Sequence, residues 1–400
     1  MKKLLLLLSL ITAFTFISSA QGYQPEDLVK FKQDTISRYF ISKIKSNQVY
    51  IPMDFNSADI KDLTAYREIK DYSILKVELV YTAYQKSEYF DQPKLNIDRL
   101  TNLQEQAPEL FSSSLTKWKF IAQTECETEE DARKLFHGFV ISYRPEPAIP
   151  FTADMGKSMS DKVNLYVKLV ADVADRKPGA REKLNNSFPE LRDSAVLSVM
   201  NRKQGWKDMP VVCDVTGSMS PYLLQTMVWF KLHAKTAGDC SYTFFNDGDN
   251  TPDDKKIIGN TGGVYFGRVA KYDSVENLML RAMFAGSGGD APENNIEALI
   301  RTQEKMPACK EIIMIADNYA NVKDIAFLEK VNKPVHIILC GVMGGINVDY
   351  LNIARATGGS VHTIEKDIED LAKVNEGEIF VIKGQKFKLE KGRFKLVYES

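Results

Sequence analysis

The chain has 400 residues, a formal net charge of -1 and 44% hydrophobic residues. That length accommodates two or three domains, at least one of them with a large core. A balance this close to neutral gives no electrostatic reason to expect nucleic acid as a partner.

The chain opens MKKLLLLLSLITAFTFISSAQG, in which two lysines precede an apolar run from Leu4 to Ile17 and Ser18-Ser19-Ala20 follow. The pattern predicts a secretory signal peptide over 1–20, cleaved near Ala20-Gln21, and so a periplasmic or secreted protein, in a style that suggests a bacterium. The run is shorter than the roughly 20 residues of a spanning helix, no cysteine follows it to take a lipid, and no later stretch is apolar enough to span. The five cysteines (Cys126, Cys213, Cys240, Cys309 and Cys340) are odd in number and lack CxxC spacing, so buried free thiols are expected. Four histidines, none spaced i, i+4, argue against a zinc hydrolase.

Residues 21–150 predict a small α+β domain of unassigned role. YSILKVELVYTAY (72–84), KWKFIAQTE (117–125) and FHGFVISYRP (136–145) have the alternation and β-branched or aromatic content of strands. LNIDRLTNLQEQAPELF (95–111) is helix-like, and TEEDARKL predicts a short helix capped by Thr128 with Asp131 three residues on. His137 is expected as a strand histidine. YRPEPAIPF (143–151) closes the domain as an extended linker.

Residues 151–205 predict a helical connector. One helix is SDKVNLYVKLVADVADR, capped by Ser160; Lys177-Pro178-Gly179 breaks it; PELRDSAVLSVMNRK, with Pro189 near its first turn, is the second. MGKS (155–158) is no phosphate loop, because Phe151 stands where the first glycine belongs.

From 206 to 376 short apolar strands alternate with helices. The strands are MPVVCD, CSYTFFND with GGVYFGRVA as its hairpin partner, EIIMIAD, KPVHIILCG and SVHTI; VKDIAFLEKV and KDIEDLAKVNEG are among the expected helices. This predicts an α/β fold with a doubly wound, mostly parallel sheet covered on both faces. Residues 377–400 predict a hairpin-like tail, basic and half exposed.

Ligands of such sheets bind outside the carboxyl ends of the strands. VVCDVTGSMSPY (211–222) places Asp214 at that end, with Thr216 and Ser218 following at alternate positions. Their oxygens suit a hard divalent cation. Further oxygens come from GSGGDAPENN (286–295), with Ser287 and Asp290, and from IIMIADN (312–318), whose Asp317 is expected to face Asp214. Ser220, followed by Pro221, is expected to cap the next helix. The acidic stretch NDGDNTPDD (246–254) is expected as a solvated turn on the same side. TGSMS lacks the glycines of a nucleophile elbow, and Glu293 is expected in the first turn of its helix.

CDVTGSMS, GSGGDAPE and IIMIAD together resemble the von Willebrand factor A fold and its metal-ion-dependent adhesion site, in the DxTGSM form with a GGGDxPE-like loop. The resemblance covers about 206–376 and extends to secreted A-domain proteins of Bacteroidetes. It implies one Mg2+ (or Ca2+ or Mn2+) held by Asp214, Thr216, Ser218 and Asp317, and a protein partner in the envelope or outside the cell. Asp290 departs from the pattern, standing where adhesion domains put a loop threonine. A third carboxylate would bring the site to a formal charge of about -1 and weaken its grip on acidic ligands. The expectation is an exported binding protein, not an enzyme. The alternatives are a metal-dependent hydrolase acting at the same strand tips, or a purely architectural ion.

Overall fold

The structure is a computed structural model that describes residues 23–41, 47–70, 72–84, 89–113, 115–144, 152–188, 191, 194–206, 208–233, 240–269, 271–286, 289 and 292–397. The segment expected as a signal peptide, most of the proline-rich linker and Pro189 lie outside these residues. The chain is a mixed α/β protein with parallel and antiparallel strand pairs in three sheets.

The first sheet runs β1 (Gln33–Ile36), β4 (Lys117–Gln123), β3 (Ser73–Thr82), β5 (Gly138–Arg144), β2 (Gln48–Pro52). Alternation along β3 sends Val77, Leu79 and Tyr81 into a core shared with Leu100 and Leu103 of the helix Gln92–Gln106. The other face is mixed. Beside Val80, Ile121 and Val140 it buries Glu78, whose carboxylate takes Lys76 Nζ at 2.8 Å and the Tyr39 hydroxyl at 3.2 Å. The Thr128–Asp131 capping box opens the helix Glu129–Lys134 as expected.

The second sheet has seven strands, in the order β12 (Asp367–Ile368), β11 (Ser360–His362), β10 (Val335–Cys340), β9 (Ile312–Asp317), β6 (Val211–Asp214), β7 (Cys240–Phe245), β8 (Val264–Val269). The pairs from β11 through β7 are parallel; β8 and β12 are antiparallel edges. Helices cover both faces, so alternate strand residues enter two different cores. Val211, Cys213, Ile313 and Ile315 pack with Met227, Phe230 and Met279. Val212, Ile312, Met314 and Ala316 pack with Leu299, Leu351 and Ile353. This explains why the strands are apolar throughout. All five cysteines are free, and all but Cys309 are buried.

The helices ahead of this sheet begin elsewhere than expected. The first spans Ala153–Ala174 and is capped by Thr152, whose side chain accepts from Met155 N–H. Ser160 lies inside it, its hydroxyl 2.6 Å from Glu276 Oε1. The start was hidden because ADMGKSM has no apolar stripe. A later helix, Ala195–Arg202, is capped by Ser194, whose hydroxyl accepts from Leu197 N–H and lies 2.5 Å from Gln225 Oε1. Val163, Val196 and Val199 join the first of the two cores above.

VKDIAFLEKV forms a 3-10 turn, Ile325–Lys330. KDIEDLAKVNEG forms β12 and a 3-10 turn, Leu371–Lys373, instead of an α-helix, since Asp370 at φ 61° cannot continue one.

The C-terminal stretch is a three-stranded antiparallel sheet, β13 (Ile379–Ile382), β14 (Gln385–Glu390) and β15 (Arg393–Val397). It is half exposed as expected: one face is open to solvent, and the other buries Phe387, Leu389 and Phe394 in the second core. Asn352 fastens it: its Oδ1 accepts Phe394 N–H at 2.7 Å. Phe394→Ala is therefore expected to lower stability by about 3–5 kcal/mol, read by urea unfolding. A loss below about 1 kcal/mol would mean that the terminal sheet is peripheral.

Candidate metal centre

Asp214 and Asp317 leave the sheet side by side because β6 and β9 are adjacent and parallel, with Cys213 opposite Ile315. Past Asp214 the backbone makes one more sheet bond, Val215 N–H to Phe245 O, then turns through Gly217–Met219. Asp214 Oδ1 accepts Thr216 N–H at 2.8 Å and the Thr216 hydroxyl at 2.7 Å. Thr216 Oγ1 lies 3.1 Å from Ser218 Oγ, and the Ser218 side chain is near enough to Asp317 to work against the rise of its carboxyl. Asp317 Oδ1 accepts Tyr319 N–H at 2.7 Å, while its Oδ2 is buried with no hydrogen-bond partner. The four expected residues Asp214, Thr216, Ser218 and Asp317 thus form one connected group. The other two, Ser287 and Asp290, lie outside the described residues.

Ser220 opens the helix Ser220–His233, but its hydroxyl donates back to Gly217 O at 2.6 Å instead of capping.

Two further carboxylates belong to this group. Glu293 is not in a first helical turn. The helix starts at Asn295, and Glu293 sits in an extended bridge, its N–H bonded to Asn321 O and its carbonyl to Lys323 N–H. That bridge holds its side chain at 8% exposure, with Oε2 buried and unpartnered. Asp247, in the stretch expected to be a solvated turn, is instead fully buried at 0% exposure. Its Oδ2 takes Lys256 Nζ at 2.8 Å and Lys323 Nζ at 2.7 Å. The turn is packed against Gly286: a Cβ there would lie 2.1 Å from Asp249 O, so only glycine permits this approach.

The electrostatics follow from burial and like charge. Burial, then the charge of Asp317, pushes the Asp214 carboxyl up against the opposing hydrogen bonds from Thr216. Burial also raises Asp317, with Ser218, Tyr319 N–H and Arg144 working against it. Glu293 is raised by burial and then by Asp214, Asp247 and Asp317, with Lys323 opposing. Among the described residues no lysine or arginine reaches ion-pair distance of Asp214, Asp317 or Glu293. Buried, oxygen-only and short of positive charge, the donor set fits a hard divalent ion, and Asp317 Oδ2 and Glu293 Oε2 are oxygens in want of one.

A second group, His362, Asp367 and Glu369, offers ligand atoms within 4.8 Å of one another. It could hold a metal, but cations already neutralise its acids: Lys203 Nζ is 2.9 Å from Asp367 and 2.7 Å from Glu369, and Arg202 is 2.8 Å from Asp367. Burial alone would raise the Asp367 carboxyl, yet hydrogen bonds from Arg202, His362 and Lys203 hold it well below the usual range. The same group contains a Ser–His–Asp order: Ser360 Oγ is 2.5 Å from His362 Nε2, and His362 Nδ1 is 2.9 Å from Asp367. At 4% exposure, with its hydroxyl also 2.6 Å from His336 Nδ1, Ser360 is placed as a structural link and not as a nucleophile.

No family model, no curated protein and no solved structure matches this chain. Among the described residues no helix is long and apolar enough to cross a membrane.

Proposed function

We propose that the protein is an exported, metal-dependent protein-binding module. Its seven-stranded sheet is read as doubly wound and von Willebrand factor A-like, with one Mg2+ (or Ca2+ or Mn2+) held by Asp214, Thr216, Ser218 and Asp317, and with Asp290 completing the set. The observation that carries this reading is the burial of Asp214 and Asp317 at neighbouring strand tips, with Glu293 near enough for their charges to raise it and with Asp317 Oδ2 and Glu293 Oε2 unpartnered. The lysine- and leucine-rich N-terminal segment supports export. Ser218 and Asp317 also line a cavity, so a ligand can reach the centre.

The chain's own residues have separable parts in this reading. Thr216 holds the Asp214 carboxylate, Ser218 adds a hydroxyl beside Thr216, and Glu293 supplies a further oxygen. Glu293 also gives the rival hydrolase reading its best base, since burial and its acidic neighbours keep its proton affinity high. One experiment separates the two. Full-length protein is used to capture partners from envelope extract in Mg2+ and in chelator, and is assayed in parallel against phosphatase, esterase and protease substrates. The expected result is one or more partners retained only in Mg2+ and lost with Asp214→Asn, without turnover. Metal-dependent turnover abolished by Glu293→Gln would replace the binding reading.

A further inference from the structure

The first sheet docks its edge over the metal centre. Ser73 Oγ donates to Tyr319 O at 3.1 Å, the Tyr319 hydroxyl donates to Arg144 O at 3.4 Å, and the Arg144 guanidinium lies 4.8 Å from the centre of the Tyr319 ring. Under this bridge is a cavity of about 690 Å³, walled by both domains. One wall carries Lys76, Lys117 and Arg144; the other carries Ser218, Tyr222 and Asp317; Ile74, Leu115 and Pro221 supply apolar surface. Lys76 stands directly opposite Lys117 in the β3–β4 register, and Ser73 opposite Arg144 in the β3–β5 register, so one sheet edge presents all three cations. Lys76 is spoken for by Glu78. Lys117 and Arg144 are exposed, and neither has an ion pair among the described residues.

We propose that this interdomain cavity is a binding site for the free carboxyl terminus of a peptide chain, with the carboxylate held by Arg144 and Lys117 of the first domain and apolar side chains in the space below. The reading rests on the metal assignment above, of which it names the ligand. The metal centre is rich in carboxylates, and its own oxygens compete with an anion for the ion's shell. The first domain faces it with two cations that form no ion pair among the described residues, Lys117 and the Arg144 stacked on Tyr319. Asp317 lines the cavity, so a divalent ion held there would add positive charge to that wall, and binding of a carboxylate is expected to strengthen when the metal is present. The cavity lies within the range of roughly 300–1,000 Å³ that small ligands fill, which suits a few residues of extended chain.

The test uses the full chain in Mg2+ and saturation-transfer NMR with acetylated tetrapeptides randomised over alanine, valine, leucine and phenylalanine. One pool has free C-termini, a second has amidated ones, and hexanoate is a third probe. The free-acid pool is expected to bind at least tenfold more tightly than the amide pool and than hexanoate. Arg144→Gln with Lys117→Gln is expected to weaken it roughly ten- to hundredfold, the worth of a lost charge-assisted contact, while calorimetric Mg2+ affinity moves less than twofold. Equal binding of acids and amides, an unaffected double variant, or hexanoate binding as tightly as the peptides would each overturn the assignment. Failure of the wild type to take up Mg2+ in the calorimeter would overturn the metal reading itself, and is a separate result.

Discussion

Asp214→Asn is expected to melt above the wild type in chelator and to lose all stabilisation by Mg2+. In the metal-free protein Asp214 is buried at 1% exposure beside the charge of Asp317. Its folded pKa therefore lies above the unfolded value of about 3.9. Such a group favours the folded state below that value, and the benefit disappears as pH rises through the folded pKa. At neutral pH the metal-free protein bears the cost of a carboxyl buried beside a like charge. Asparagine keeps Oδ1 to accept the two Thr216 hydrogen bonds but carries no charge at any pH. The advantage of the variant in chelator should grow as pH rises from about 4. Mg2+ reverses the order. At a hundredfold excess over Kd it stabilises the wild type by about 2.7 kcal/mol, a rise of roughly 5–10 °C for a domain of this size. The variant should show none of that rise. Scanning calorimetry at several pH values, with and without EDTA, reads both effects. A variant that melts below the wild type in EDTA and still responds to Mg2+ would show that Asp214 has only a structural part.

Lys323→Met is expected to cost about 3–5 kcal/mol, because it strips one of two ammoniums from a carboxylate with no exposure. Lys323 is itself 7% exposed, and its ammonium lies 2.7 Å from Asp247. The loss takes Lys323 from the buried Asp247 charge, which keeps Lys256, and removes a cation that opposes the raised proton affinity of Glu293. Adding Asp247→Asn to Lys323→Met should recover more than about 1 kcal/mol, since the orphaned charge is then gone and neighbouring sites couple. Urea unfolding of the two single variants and the double variant gives the coupling. Additive losses would show that the pair does not act as a unit.

Those two lysines also mark where sequence reasoning stopped. Asp214, Thr216, Ser218 and Asp317 were legible together because of a single rule: parallel strands put all their carboxyl ends at one edge, so an aspartate ending each of two apolar runs must come near the other. Asp247 was not legible. NDGDNTPDD has the polarity of a solvated turn, and its burial depends on Lys323, which lies 76 residues further on. Glu293 was misplaced for a related reason. A glutamate just before a helix looks like a first-turn acid, and only the pairing of 293 with 321–323 turns it inward. Arg144 gave no local signal at all, since its position over the metal centre depends on how two sheets dock. Strand existence was the easiest feature, as in β3, β4, β5, β6 and β9, where alternation or uniform apolarity runs the length of the element. Helix starts were harder. Thr152 and Ser160 are equal caps by residue type, and the packing that chose Thr152 is not written in the seven residues between them.

The proposed function requires that separate strand tips gather around one divalent cation. A crystal of the full chain soaked in Mn2+ tests it directly through the anomalous signal of the metal. The account expects a peak in bonding contact with Ser218 Oγ and between the carboxylates of Asp214 and Asp317. A map with no peak there, or with its only peak at His362, Asp367 and Glu369, would contradict it.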